Sequence, residues 1–417
     1  MKNNPNMEPP LNPSANGQPA KKMIVLGHDA TRSGAPILLL HLLHWLKRHG
    51  GLELEIILKQ DGPLLAEFQR IAPTTVLEYT RTERMVHSLC QRLGGKIPEW
   101  ILPPAKLARH LRGRKADLFY ANTSTVGAEV AVATQLGLPV VWHIHELPSF
   151  INSIAGGKPF RDAGRHAQKF IAVSESVKAG LMASSAIPAE KISVIHGFVP
   201  PEKTRALDLP ATRAAVRQEL NVPPSAFVAG MCGTVCHGKG VDWFVAVAAA
   251  LAADFADREI QLVWIGAPEN EMILTQVNQD LRQARLTERV KFIGGKADSR
   301  PYLAALDAFL LSSRADSFPL VMLEAGALGL PVICFAGSGG APEFVEADAG
   351  LVVPHADPAA AARALVKLCD NPELCRQLGA NARQKVLTHY TVETQAPEIL
   401  ALMEQTCRPT AEKKILE

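Results

Sequence analysis

The 417-residue sequence has no run of about 18 uncharged apolar residues, the length a bilayer-crossing helix needs. Its opening stretch, MKNNPNMEPPLNPSANGQPA, has no apolar core and does not read as a signal peptide. The Asn and Pro content of residues 1–20 predicts a disordered leader. Cysteine is sparse, with seven residues scattered along the chain, which argues against a disulfide framework and for reduced thiols in the cytosol. The first strand-like run continues into HDATRSGAP without Gly-x-Gly-x-x-Gly, which argues against a Rossmann dehydrogenase. No nucleic-acid-binding motif occurs, so neither DNA nor RNA is expected as a partner.

A hydrophobic share of 47% with 20% charged residues suits well-buried cores, and the length suits two domains of roughly 200 residues. Net charge is +3 but uneven. Residues 1–205 carry 25 Lys and Arg against 16 Asp and Glu, while the remainder carries 19 against 25. The first half is thus the better candidate for an anionic partner.

Apolar strand-like runs alternate with amphipathic helical stretches, twice over. The first series comprises MIVLGH (23–28), LELEIIL (52–58), ADLFYANT (116–123), PVVWHIHE (139–146), KFIAVSES (169–176) and ISVIHGF (192–198). The second comprises FVAGMCG (227–233), IQLVWIG (260–266), VKFIGG (290–295), AFLLSS (308–313), PVICFAG (331–337) and GLVVP (350–354). Near-continuous apolar character suits parallel strands covered on both faces. The pattern predicts an α/β fold of two doubly wound Rossmann-like domains facing a central cleft. The expected boundaries are a leader at 1–20, a first domain at 21–200, a Pro- and charge-rich linker at 201–225 and a second domain at 226–388. Residues 389–417 are expected to form a helix crossing back to the first domain. Ligands of such sheets lie beyond the carboxyl ends of the strands.

In SSRADSFPLVMLEAGALGLPVICF (312–335), Asp316 precedes Glu324 by eight residues. Ser317, Phe318, Pro319, Leu320 and Val321 lead from the first acid into a helix-compatible run holding the second. Free N–H groups at that helix start can hold a diphosphate. Glu324 can accept hydrogen bonds from vicinal ribose hydroxyls, and Asp316 from a sugar. By spacing alone, a capped surface helix is the better reading of the acid pair.

The segment resembles the acid-x7-acid signature of the family 4 (group 1) retaining glycosyltransferases, including the small-residue helix and Gly329-Leu330-Pro331-Val332-Ile333 that follow. Three further segments resemble the family in its order. Gly233-Thr234-Val235-Cys236-His237-Gly238-Lys239-Gly240 matches a loop whose lysine grips the donor diphosphate. Val290–Gly294 matches the strand whose end, at Gly294, packs against the base. Gly339-Gly340-Ala341-Pro342-Glu343 matches its Gly-Gly-x-Pro-Glu turn. The resemblance covers about residues 22–405 and is more specific in the second half. It implies the GT-B fold, a nucleotide diphosphate sugar as co-substrate and no other cofactor. Two positions depart from the pattern. Asp316 stands where Glu is usual, shorter by about 1.5 Å, and Thr234 stands where Arg is usual, which leaves Lys239 and the helix start to neutralise the diphosphate.

In the first half, Ser33-Gly34-Ala35 lies between the first strand and a helix, where glycine admits close approach of a ligand. Its position matches the family's glycine-bearing loop, and packing alone would also explain it. His143 and His145 share a face at the end of WHIHELP. The resemblance assigns His145 a hydrogen bond to the transferred sugar. Ser174 matches a family position near the cleft, or serves as an N-cap. Cys232, Cys236 and His237 lack the second ligand pair of a structural zinc site. No Asp-x-Asp pair, the usual manganese holder of the other nucleotide-sugar transferase fold, is present. No metal is expected. Residues 81–115 hold nine Lys and Arg against two acids, with Trp100-Ile101-Leu102 among them, and suit an anionic membrane surface or an anionic acceptor.

The resulting expectation is a retaining hexosyltransferase that takes a UDP- or GDP-linked sugar to a glycan or lipid-linked acceptor. It would be cytoplasmic and peripheral on the inner face of the membrane. Its expected catalytic residues are His145, Lys239 and Asp316. Two alternatives share the fold: a sugar-nucleotide epimerase, and a non-catalytic nucleotide-sugar binder.

Overall fold

The computed structural model describes residues 21–77, 85, 102–153, 157–200 and 209–407. The expected leader at 1–20 and residues 201–208 of the expected linker lie outside them, as does most of the basic stretch at 81–115. Two compact units emerge. One holds the described residues of Met1–Val173, Val177–Ile195 and Gln395–Glu417; the other holds those of Ser174–Ser176 and His196–Thr394.

The first unit is built on a seven-stranded sheet of order β3-β2-β1-β4-β5-β6-β7. Its strands are β1 Lys22–Gly27, β2 Glu53–Leu58, β3 Thr74–Val76, β4 Leu118–Asn122, β5 Val140–Ile144, β6 Lys169–Ala172 and β7 Ile192–Val194. The second unit has six strands in the order β10-β9-β8-β11-β12-β13. They are β8 Phe227–Cys232, β9 Ile260–Ile265, β10 Val290–Phe292, β11 Ala308–Leu311, β12 Val332–Phe335 and β13 Gly350–Val353. Every pairing is parallel. Helices connect the strands, so each sheet is doubly wound, and the central strands are buried end to end, as in β4, β5, β11 and β12.

In each sheet the winding reverses beside the first strand, between β1 and β4 and between β8 and β11. These reversals open crevices at the carboxyl ends of the strands. A buried tryptophan braces each crevice. Trp142 on β5 donates its indole N–H to the Thr123 carbonyl at 2.7 Å, and Trp264 on β9 donates to the Gly233 carbonyl at 2.8 Å. Both carbonyls sit in the loop leaving the adjacent strand. Losing such a partner would strand a buried polar group at a cost of about 1–3 kcal/mol.

Two features differ from the expectation, β3 and the linker. Strand β3 falls at Thr74–Val76, where a three-residue edge strand carries too little hydrophobic pattern to read. The expected linker contains a helix, Leu209–Glu219, that belongs to the second unit. Pro210 stands in its first turn, where a missing N–H costs nothing. Arg213 and Arg217 anchor this helix on the Asp307 carboxylate before β11, with Arg217 at 2.6 Å. The carboxy-terminal helix is Val392–Cys407, and its residues from Gln395 onward group with the first unit.

Candidate functional site

In the second unit, three loops at the carboxyl edge carry the candidate residues. The loop after β8 runs from Gly233 to Gly240 and enters the helix Val241–Asp254. Gly240 is left-handed at φ 72°, and a Cβ there would meet the Ser312 carbonyl at 1.9 Å, so both conformation and packing demand glycine. The loop after β11 runs from Ser312 to Pro319 and enters the helix Leu320–Ala327. The loop after β12 passes through Gly339, whose missing Cβ lets the Asp316 carbonyl approach. Asp316 N–H donates to the Ser338 carbonyl at 2.8 Å, and Gly340 N–H donates to the Asp316 carbonyl at 3.0 Å.

These contacts bring Lys239 and Asp316 together. The Lys239 ammonium donates to Asp316 Oδ2 at 2.5 Å, and the Ser313 hydroxyl donates to the same oxygen at 3.2 Å. Sequence reasoning treated the two residues as separate ligands; in the structure they satisfy each other across the β8–β11 switch point. Ser317 is half-buried, while Phe318 and Pro319 are buried. Phe318 is tucked against His196 and Tyr390, with ring centroids 4.8 and 5.6 Å away. The helix Leu320–Ala327 has Pro319 as its N-cap and no side-chain cap. By contrast, Asn270, Asp357 and Asn371 cap theirs by accepting from backbone amides. The amides of its first turn, from Leu320 and Val321, therefore lack that internal acceptor. Glu324 is half-buried one turn further in.

Thr234 is exposed. Arg314, the arginine of the neighbouring loop, does not replace the missing cation, because its guanidinium is committed to Asp242 and the His237 carbonyl. Gly294 sits at φ 71° with nothing within 4 Å of a hypothetical Cβ, so its backbone is left-handed and open. Glu343, of the Gly-Gly-x-Pro-Glu turn, accepts from the amides of Glu175 and Ser176, both at 2.9 Å.

In the first unit, Gly34 opens the helix Gly34–His49 after β1. A Cβ there would meet nothing within 4 Å, so internal packing does not require glycine. His145 follows β5 and its ring lies 4.2 Å from that of His143. Asn122, at the end of β4, donates its amide to the Ala35 carbonyl at 3.3 Å, which turns its oxygen toward His145 Nε2 at 2.8 Å. That Nε2 therefore carries the proton, and Nδ1 is the lone-pair nitrogen. Burial first, and the neighbouring His28 second, push the His145 pKa down to about 3, so the ring is neutral at physiological pH. His143 is buried and hydrogen-bonded to the Tyr120 hydroxyl at 2.6 Å, and burial likewise drives its pKa down.

Sequence reasoning missed Asn122, His28 and Glu146 here. Glu146 accepts from the amides of Ser124 at 2.9 Å and His145 at 3.2 Å, and its burial raises its pKa. Between β4 and these residues Thr123 adopts φ 79°, a strained conformation for a β-branched residue, at the sheet's switch point. The available signal was the polar run Asn122-Thr123-Ser124-Thr125 where a buried strand ends.

Among the described residues no group of three or more His, Cys, Asp and Glu side chains is placed to hold a metal ion. No helix among them is long and apolar enough to cross a membrane, and no disulfide joins their cysteines.

Comparison with known proteins decides the family. Residues 226–371 match the Glycosyl transferases group 1 profile, and residues 32–203 match that of Glycosyltransferase Family 4. D-inositol 3-phosphate glycosyltransferase 1 of Catenulispora acidiphila is 30% identical over 292 residues, covering 64% of this chain and 67% of that protein. The chain is a family 4 (group 1) glycosyltransferase. The lipopolysaccharide core biosynthesis mannosyltransferase LpsB of Rhizobium meliloti is 25% identical to this glycosyltransferase over 218 residues, 52% of this chain and 61% of LpsB. The crystal structure of Anabaena HepE in complex with UDP and glucose superposes with a TM-score of 0.76 at 22% identity, covering 92% of the glycosyltransferase and 99% of HepE. The fold is accordingly GT-B.

Proposed function

We propose that this glycosyltransferase moves a hexose from a UDP- or GDP-linked sugar to a glycan or lipid-linked acceptor in cell-surface polysaccharide or glycolipid synthesis. We assign it retention of anomeric configuration and independence from metal. The observation that carries the reading is the Lys239–Asp316 pair at the switch point of the second sheet, beside a helix start with no side-chain cap. A diphosphate would offer Lys239 more negative charge than Asp316 does, and would draw the ammonium across. Asp316, released, would accept hydrogen bonds from the sugar, the amides of Leu320 and Val321 would meet the phosphates, and Glu324 the ribose. HepE, crystallised with UDP and glucose, and relatives acting on inositol phosphate and lipopolysaccharide core support a nucleotide-sugar donor and a polar acceptor.

In the assigned step the bond from the anomeric carbon to the diphosphate breaks, and the acceptor oxygen bonds on the same face. The acceptor proton passes to the departing phosphate oxygen. A general base is not required, and His145, with a pKa of about 3, has little capacity for that part at neutral pH. Its Nδ1 can instead accept from a sugar hydroxyl. Lys239 and the helix start would stabilise the leaving group electrostatically. We place the protein at the cytoplasmic face of the membrane, with residues 81–115 as the contact.

Incubation with a panel of UDP-, GDP- and ADP-sugars tests the reading through nucleotide release and product analysis. Transfer to a glycan or lipid-linked acceptor is expected. An isomerised donor without transfer would favour the epimerase, and nucleotide binding without turnover the non-catalytic binder. Turnover is expected to persist in EDTA; loss on chelation with recovery in manganese or magnesium would overturn metal independence.

Thr234→Arg is expected to hold donor equally well or up to about tenfold tighter with kcat unchanged. A cation that grips substrate and transition state alike lowers KM only. Titration of donor analogue against both proteins, with single-turnover rates, checks this; weaker binding would show that the loop has no room for the usual arginine.

A further inference from the structure

The Lys239–Asp316 ion pair cannot be what spaces the two donor loops during turnover, because donor binding as assigned above breaks it. Two contacts to the Lys239 loop's carbonyls remain: the Ser312 hydroxyl donates to the Lys239 carbonyl at 2.9 Å, and Arg314 N–H donates to the Gly238 carbonyl at 3.1 Å. The Arg314 side chain adds a third connection of a different kind. Its guanidinium donates to the His237 carbonyl at 2.6 Å, two residues before Lys239. It also forks onto Asp242, reaching Oδ1 at 2.7 Å and Oδ2 from its second terminal nitrogen. Its central carbon lies 4.4 Å from the centre of the Trp243 ring.

Asp242 and Trp243 form the first turn of the helix that follows Lys239. Trp243 is in turn set edge-on to Phe335 at 5.0 Å and to His355 at 5.6 Å. His355 Nδ1 is 2.9 Å from the Ala336 carbonyl, in the loop that also bears Gly339. One guanidinium thus ties the Asp316 loop to both sides of Lys239 and, by way of Trp243 and His355, is linked to the third loop. Asp242 is about half exposed, at 47%, so the ion pair itself adds little stability. What the arrangement supplies is geometry, since a planar fork that also stacks fixes both distance and orientation.

We propose that Arg314 is a positioning residue for donor binding, holding Lys239 at its working distance from the Asp316 loop after the two side chains part. The proposal rests on the donor assignment above. It predicts that Arg314 governs donor affinity without touching donor.

The test compares Arg314→Met, which keeps the stem and removes the fork, with Arg314→Lys, which keeps the charge. The control is Arg258→Met. Arg258 makes a forked pair with Asp370 at 2.7 and 3.2 Å in the same unit, and no candidate residue lies on its elements. Donor KM, kcat, affinity for UDP and GDP by calorimetry, and thermal midpoint are read for each. Arg314→Met is expected to raise donor KM and weaken nucleotide binding by about tenfold or more, with kcat within about threefold of wild type. Arg314→Lys should recover only a minor part of the loss, because an ammonium cannot fork. Arg258→Met should leave both constants unchanged. A merely structural link would lower the thermal midpoint of the Arg314 variants and of the control alike and leave KM alone; that result overturns the proposal, as does full recovery with lysine. Should Arg314→Met not fold, the lysine variant decides by the same readings. A wild-type protein that neither binds nor turns over any nucleotide sugar defeats the donor assignment and this proposal together. An active wild type with unaltered Arg314 variants defeats this proposal alone.

Discussion

Lys239→Ala is expected to reduce turnover at least about a hundredfold, to the limit of detection in a nucleotide-release assay. Two effects combine. Hydrogen bonds involving charged groups contribute about 1.5–3 kcal/mol, and a donor aimed at developing transition-state charge contributes roughly a hundredfold to a thousandfold in kcat. The variant also leaves the Asp316 carboxylate, now held by Lys239 at 2.5 Å, with Ser313 at 3.2 Å as its remaining donor of the two. That negative charge would then face the incoming diphosphate. Both ground-state affinity and the chemical step should suffer, so kcat/KM should fall further than either constant alone. A wild-type rate in a correctly folded Lys239→Ala protein would remove the lysine from the mechanism. Asp316→Asn separates the two effects: it should ease the repulsion while losing the strong acceptor for the sugar, so that donor still binds but turns over slowly.

Glu324→Gln should weaken donor binding and turnover about tenfold to a hundredfold, because hydrogen bonds to a charged group contribute about 1.5–3 kcal/mol against about 0.5–1.5 for neutral ones, and two vicinal ribose hydroxyls are assigned to this carboxylate. The substitution preserves volume and helix propensity, so a half-buried position one turn into the helix Leu320–Ala327 should tolerate it without loss of fold. The informative comparison is UDP or GDP against the free diphosphate. Glu324 is assigned the ribose, so its variant should lose affinity for the nucleotide and keep affinity for diphosphate. Unchanged nucleotide affinity and turnover would withdraw the assignment.

Much of the architecture was legible because burial on two faces leaves a strong mark. The twelve apolar runs each contain a parallel strand, and the residues joining them supplied the loops to inspect. Edge strand β3 escaped because three half-buried residues carry no period. The helix Leu209–Glu219 is hard to read because the surrounding stretch 201–225 is rich in prolines and charges. Its arginines find their partner, Asp307, some ninety residues later, as they pack before β11.

The same division holds at the site. Motif order pointed to the family, and the acid spacing together with the Lys-Gly loop singled out Lys239, Asp316 and Glu324 as candidates. Only the folded chain decided that the first two are bound to each other. Sheet order is invisible in a linear pattern: β8 and β11 become neighbours because β9 and β10 are laid on the other side. This brings loops 77 residues apart within hydrogen-bonding distance. Tertiary structure likewise fixed the tautomer of His145, through an asparagine 23 residues earlier, and burial set its charge. Residue types specify which chemistry is available. Distances and dielectric surroundings, which decide protonation and pairing, exist only once the strands are ordered side by side.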